Sequence, residues 1–193
     1  MPKIERDSLL TLEAYARQRA DIRARVIDHK KCRTLDLGEN VMLIFEDELT
    51  VRYQIQEMLR VERIFEDQGI EDELAAYNPL VPDGRNFKAT MMLEFPDPLE
   101  RRARLAGLIG IEDHTWVEVQ DSDRVWAVAD EDLDRDNAEK TSAVHFLRFE
   151  LTEAMVQKLK AGAGLGVGVE HPNYRVSVQT PREVREALVR DLA

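Results

Sequence analysis

Several kinds of residue are scarce in this chain of 193 amino acids. The single cysteine, Cys32, cannot form an internal disulfide or supply a multi-cysteine zinc or iron–sulfur site. There is no run of about 18 apolar residues, so no membrane insertion is expected. Basic residues are outnumbered, 27 against 38 acidic ones, which excludes nucleic acid as the expected partner because phosphates attract a basic face. The first residues lack an apolar signal core, and we therefore expect an unsecreted, cytoplasmic protein.

The basic residues that are present concentrate at the N-terminus. Residues 1–33 hold nine Lys and Arg against five Asp and Glu, although the whole chain carries a net charge of −11. An apolar stripe at helical spacing predicts a helix over about residues 12–29. A helix of this length is marginal alone, so we expect its stripe to pack on the domain or on a partner, with a homodimer as one alternative.

The remaining pattern predicts a single α+β domain over residues 1–193. Strands are expected in adjacent hairpins, with helices inserted at intervals, and the strict strand–helix alternation of a doubly wound parallel sheet is missing. We therefore predict a mostly antiparallel sheet with helices covering one face. The predicted strands are 32–37, 41–45, 88–95, 115–119, 125–129, 141–151, 165–170 and 174–178, and the longest helix is predicted over 47–67.

Four glycines at every second position resemble a dinucleotide-binding loop, but the spacing and context are wrong for one. They follow a predicted helix and enter a predicted strand, which reverses the required order. Glycines two apart share one face of a strand and leave room for a flat group to approach. We predict that Trp116 or Trp126 packs on this strip, which consists of Gly162, Gly164, Gly166 and Gly168.

Two sets of residues are candidates for metal or redox chemistry. His145 lies in one predicted strand, and Glu170 and His171 end another, so the three would form a metal site with open positions if those strands were neighbours. The alternative is a core histidine bonded to backbone and a histidine in a turn. Cys32 is surrounded in sequence by cationic residues that favour a thiolate, which makes it a candidate redox thiol, or else an inert lone cysteine.

The amino-acid sequences of several segments resemble those of a known bacterial family, the one catalogued as domain of unknown function 3501. These segments are residues 46–60, 78–84 followed by 88–92, 139–151 and 170–174. The resemblance spans essentially the whole chain and implies no assigned activity. Family members are encoded beside rubrerythrin-like di-iron proteins and iron–sulfur proteins, which implies a role near peroxide detoxification or electron transfer.

Three functional hypotheses follow, and none establishes whether the protein is an enzyme. The first is a non-enzymatic accessory protein of a cytoplasmic redox or oxidative-stress system, acting through contacts with a rubrerythrin-like or iron–sulfur protein and needing no cofactor. The second is a metal-binding protein or metal-dependent enzyme that holds a divalent metal at His145, Glu170 and His171. The third is a small-molecule binder at the irregular 77–87 loop. If the family-like segments serve one site, one cleft should be surrounded by Arg52, Gln56, Asp83, His145 and His171.

Overall fold

The chain folds into two antiparallel sheets in a computed structural model that describes residues 3–131 and 139–193. Strands are numbered in chain order. Five of them form sheet A in the spatial order β1 (Thr34–Asp36), β2 (Val41–Phe45), β3 (Asn86–Leu93), β7 (Val144–Glu150) and β6 (Val128–Ala129). Four form sheet B in the order β5 (Arg124–Trp126), β4 (Thr115–Val119), β8 (Leu165–His171) and β9 (Tyr174–Gln179).

The α+β class predicted from the sequence is confirmed, but the strands make two sheets where one was predicted. The predicted strand 125–129 explains the difference, because it divides at Ala127. Trp126 pairs with Trp116 in sheet B, whereas Val128 pairs with Arg148 in sheet A. The chain thus crosses from one sheet to the other within a single extended segment.

Six helices occur in the described part of the chain, and side-chain caps start four of them. Thr11, Asp47, Asp97 and Thr152 each accept a backbone N–H in the first turn of the helix that follows, which satisfies donors that the helix itself cannot. The helices are α1 (Leu12–Lys31), α2 (Glu48–Val61), α3 (Asp67–Tyr77), α4 (Pro98–Ala106), α5 (Glu153–Lys160) and α6 (Arg182–Val189). None of these helices has the length and apolarity needed to cross a membrane.

The main hydrophobic core lies between the two sheets. Alternate residues of each strand face it, as the period of two along a strand requires. Phe87, Ala89 and Met91 enter it from β3, and Val117 and Val167 enter it from sheet B. The opposite face of sheet A turns toward the side on which α2 and α3 lie, and its side chains are only partly buried.

The basic helix α1 packs on α2. Tyr15 and Val26 are its fully buried residues. A smaller apolar cluster joins α2 and α3 to the N-terminal segment through Ile4, Ile55 and Leu74. Part of the apolar side of α1 is therefore buried within the chain itself, whereas Ile27 remains exposed.

Gly166 and Gly168 of the glycine strip lie on the face of sheet B that is turned away from the core, whereas Gly162 and Gly164 precede β8. A Cβ atom at Gly168 would be 2.4 Å from the Trp116 ring, so only glycine lets the indole lie this close. Arg124 covers the other face of that indole, with its guanidinium carbon 4.1 Å from the ring centroid. The predicted packing of a tryptophan on the strip is confirmed for Trp116, whereas Trp126 is substantially exposed.

Candidate functional site

Two of the predicted pocket residues fasten the N-terminal segment to α2. The Gln56 side chain is buried, accepts the N–H of Leu10 at 2.7 Å and donates to its carbonyl oxygen at 3.3 Å. Arg52 donates to the carbonyl oxygen of Ser8 at 2.6 Å. Both polar groups are thus used to hold backbone in place.

Glu170 and His171 are also engaged separately. The Glu170 carboxylate accepts from Arg124 at 2.5 Å on sheet B. His171 donates from Nε2 to the carbonyl oxygen of Ile109 at 3.1 Å, and its Nδ1 accepts the N–H of Asn173 at 3.2 Å. Burial lowers the pKa of His171, and the neighbouring His114 ring adds to that effect. These contacts suit a neutral imidazole at a turn.

Cys32 does not collect the cations that surround it in sequence. Its Sγ donates to the carbonyl oxygen of His29 at 3.2 Å. The His29 ring lies 2.6 Å from a carboxylate oxygen of Asp47, and Arg33 points into the core toward Asp191. Lys31 pairs with Asp28 at 3.0 Å, so three of the four neighbouring basic side chains are turned to carboxylates.

His145 lies on the core-facing side of β7 and is completely buried. Its Nδ1 is 2.6 Å from one carboxylate oxygen of Asp130, the residue that follows β6. The other oxygen of Asp130 accepts the N–H of Phe146 at 2.9 Å, so the carboxylate has a fixed orientation. Because a carboxylate only accepts hydrogen bonds, Nδ1 carries the ring proton.

Three oxygens surround the second nitrogen of that ring. Nε2 is 2.8 Å from Thr141 Oγ1, 3.1 Å from the Ser142 carbonyl oxygen and 3.7 Å from Glu112 Oε2. Ligand-type atoms of Glu112, Asp130 and His145 all lie within 4.8 Å of one another, and within residues 3–131 and 139–193 this is the set that meets such spacing. His145 is thus grouped with Glu112 and Asp130, and not with Glu170 and His171.

A cleft separates the outer face of sheet A from the helical layer. Its first cavity, of about 300 Å³, lies between Tyr77 and Leu80 on one side and Lys88 and Phe146 on the other. A second cavity of about 260 Å³ shares Tyr77, Leu80 and Phe146 with the first and extends to Met92. We refer to these two adjoining cavities as the helix–sheet cleft.

Asp83 belongs to the mouth of this region. A shallower cavity of about 470 Å³ is lined by Asp83 and Glu150 and shares Lys88 and Arg148 with the cleft. The Asp83 carboxylate accepts the N–H of Arg85 at 3.0 Å, which shapes the loop. Asp83 is thus the one member of the predicted pocket that contacts these cavities.

Lys88 and Arg148 face each other across β3 and β7, but their surroundings differ. Arg148 donates two hydrogen bonds to Glu131, at 2.8 and 2.9 Å, and one to Glu150 at 2.9 Å. The half-buried ammonium of Lys88 has no ion pair or hydrogen bond to any residue of the described ranges. Burial lowers the pKa of Lys88 and the positive charge of Arg148 lowers it further, whereas the carboxylates of Glu131, Asp83 and Glu150 oppose that shift.

The sequence matches a family described as "Protein of unknown function (DUF3501)" over residues 3–192. The chain belongs to the DUF3501 family. It is similar to a crystal structure at 1.90 Å of a novel protein of unknown function from Burkholderia pseudomallei K96243, with 55% identity, 100% of both chains covered and a TM-score of 0.95. No curated protein matches it.

The segments that carry the DUF3501 resemblance converge on the helix–sheet cleft, with one exception. Residues 46–60, 78–84 with 88–92, and 139–151 all contribute lining side chains. Residues 170–174 lie on sheet B, where His171 holds a turn.

Sequence reasoning missed Lys88, Glu112 and Asp130. Lys88 had a detectable signal, because a lysine stands among the apolar residues of β3. Glu112 and Asp130 had no signal that connected them with His145, since they are separated from it along the chain. Only the pairing of β6 with β7 brings Asp130 to His145.

Proposed function

We propose that this DUF3501 protein binds a small amphipathic carboxylate in the helix–sheet cleft. The observation that carries the proposal is Lys88, a half-buried cation without a partner among the described residues, located in a cleft with apolar walls. A partly desolvated ammonium is costly unless an anion pairs with it. A ligand carboxylate supplies that anion.

The walls of the cleft suit the apolar part of such a ligand. Met58, Tyr77, Leu80 and Phe146 surround the first cavity. The volumes of the two cavities, about 300 and 260 Å³, fit the range found for small-molecule sites. The acyl chain would lie along these side chains toward Met92, with its carboxylate at Lys88.

Arg148 is the second cation beside the cleft, and its contacts support the choice of Lys88 as the partner of the ligand carboxylate. Its guanidinium is hydrogen-bonded to Glu131 and Glu150, so it is less free than Lys88 to pair with a ligand. Glu131, Asp83 and Glu150 favour the charged form of Lys88 through space, but none of them hydrogen-bonds to its ammonium, and a bound carboxylate would be its direct partner.

Calorimetric titration with decanoate tests the proposal. Removing one partner of a partly buried charge pair lowers the free energy of binding. Lys88→Gln should therefore weaken decanoate binding at least tenfold, about 1.4 kcal/mol. Lys160→Gln is the matched control, because Lys160 is exposed at the end of α5 and away from the cleft. Absence of binding, or equal affinity in Lys88→Gln and the wild type, would overturn the proposal.

The accessory role in a cytoplasmic redox or oxidative-stress system stays a separate proposal. Its support is the family resemblance, which implies rubrerythrin-like or iron–sulfur partners. Co-purification of a di-iron or iron–sulfur protein with this chain from its native cells would support it.

A further inference from the structure

Three oxygen atoms surround Nε2 of His145. Nδ1 donates its proton to Asp130, so a neutral ring presents a lone pair at Nε2. The Thr141 hydroxyl can donate to that lone pair, at 2.8 Å. The Ser142 carbonyl oxygen at 3.1 Å and the Glu112 carboxylate oxygen at 3.7 Å can only accept. The two acceptors directed at Nε2 favour a cation between them and the ring, and that cation is either a proton or a metal ion.

We propose that a divalent transition-metal ion binds here, with His145 Nε2 and the Glu112 carboxylate as ligands. The 3.7 Å between Nε2 and Glu112 Oε2 is within the about 4.2 Å that two ligands at about 2.1 Å from one ion can span. The Thr141 and Ser142 oxygens lie on the same side of the ring and can complete the coordination.

Asp130 is a positioning residue in this arrangement. Metal-ligating histidines usually donate their other ring N–H to a carboxylate or carbonyl, which fixes the tautomer and raises the basicity of the ligating nitrogen. Asp130 does this at 2.6 Å and is itself held by the N–H of Phe146. The site is thus supported by its surroundings as well as by its ligands.

The donor set favours particular metals. One imidazole nitrogen with carboxylate, hydroxyl and carbonyl oxygens suits zinc, manganese or ferrous iron, and a nitrogen donor disfavours calcium. The proposed site keeps His145 from the set predicted by sequence and replaces Glu170 and His171 by Glu112 and Asp130. It is independent of the helix–sheet cleft, since His145 faces the opposite side of sheet A from Phe146.

Calorimetry with zinc chloride and manganese chloride on the metal-stripped full chain tests the proposal. We expect one ion per chain, and at least tenfold weaker binding in Glu112→Gln and in Asp130→Asn, the range seen when supporting carboxylates are removed. His171→Gln is the control, because His171 belongs to the site predicted from sequence. Absence of binding in the wild type would overturn the proposal. So would a result in which His171→Gln loses zinc binding and Glu112→Gln retains it.

A measurement on the unmodified chain avoids variants that fail to fold. Nitrogen NMR of the histidine rings should show the His145 Nε2 resonance shifting when zinc is added, while Nδ1 stays protonated. A His145 ring that is protonated on both nitrogens and unchanged by zinc would assign the positive charge to a proton and refute the metal site.

Discussion

Gly168 shows how the absence of one side chain determines the packing on sheet B. An added Cβ would be 2.4 Å from Trp116 Cζ2 and 2.6 Å from the carbonyl oxygen of Val176, and the latter is backbone that cannot move aside cheaply. Overpacking of this kind typically costs about 1–3 kcal/mol. We expect Gly168→Ala to lower the free energy of unfolding by about 2–3 kcal/mol, measured by chemical denaturation.

Gly164→Ala is the control for that substitution. The nearest atoms to its added Cβ are side-chain atoms at 3.6 Å or more, an ordinary contact distance. Its stability should therefore stay within about 0.5 kcal/mol of the wild type. Equal losses in the two variants would mean that the close approach of Trp116 is not what Gly168 is needed for.

At the residue scale, the spacing of residues along the chain predicted contacts within a strand and missed contacts between residues far apart in the sequence. Gly166 and Gly168 share a strand face because they are two apart, so their tryptophan partner could be inferred. His145 could be identified as a candidate ligand from its place in a strand. Its companions could not, because Glu112 and Asp130 are separated from it by 33 and 15 positions and meet it only through the fold.

At the scale of elements, the Glu57 carboxylate of α2 links that helix to α1. Glu57 accepts from the Tyr15 hydroxyl at 2.7 Å and from Arg19 twice, also at 2.7 Å. The Arg19 hydrogen bonds hold the pKa of Glu57 at about 2, below its ordinary value of 4.5, although burial opposes them. The native state therefore favours the ionised form, and this stabilisation is complete above about pH 4.5 and lost as the pH falls toward 2.

Glu57→Gln tests that link. Hydrogen bonds to charged groups contribute about 1.5–3 kcal/mol, so the variant should be less stable than the wild type by about that amount at pH 7. The difference should narrow between pH 4.5 and 2, because the wild type loses its carboxylate there. Glu13→Gln, at an exposed position of α1, should show no such trend. A difference that stays constant from pH 5 to pH 2 would contradict the assignment.

The starts of four helices carry a capping residue that can be recognised in the sequence. Two other helix boundaries could not be predicted. The predicted helix 47–67 ends at Val61, because Arg63 adopts a left-handed φ of 56° and the chain turns before α3. The residues Thr-Pro-Arg-Glu at 180–183 match a capping box, but the Thr180 hydroxyl donates to the carbonyl oxygen of Leu165 at 2.7 Å and α6 begins without a side-chain cap. In both cases a tertiary contact or turn overrode the local signal.

At the scale of the whole molecule, a buried ion pair connects the two ends of the chain. Arg33, which precedes β1, pairs with Asp191, which follows α6 in the sequence. Both side chains are almost fully buried. Arg33 also donates to the carbonyl oxygen of Phe45 at 2.9 Å and lies 3.4 Å from Asp47. Since Arg33 is fixed in the core, removal of its partner leaves a buried charge less well compensated.

Asp191→Ala should therefore be strongly destabilising. Breaking one side of a buried pair typically costs about 3–5 kcal/mol, and the nearby Asp47 should keep the loss near the lower value. Asp28→Ala is the comparison, because Asp28 pairs with Lys31 on the exposed side of α1 and should cost less than about 1 kcal/mol. Similar melting temperatures for the two variants would show that the ends are not coupled in this way.

The two-sheet arrangement was beyond sequence reasoning. Alternation by two identifies a strand and its buried face, but it does not say which sheet a strand joins. The division at Ala127 leaves no mark in the pattern, so the helix–sheet cleft, which depends on sheet A having its own outer face, could be anticipated only as an irregular loop at 77–87.

The central claim, that the helix–sheet cleft binds an amphipathic carboxylate, is tested most directly by NMR of methionine methyl groups during a decanoate titration. Met58 and Met92 line the cleft, whereas Met91 and Met155 belong to the core between the sheets. The account predicts saturable shifts of the Met58 and Met92 signals, with Met91 and Met155 unchanged. Unchanged Met58 and Met92 signals, or equal shifts of all four, would contradict it.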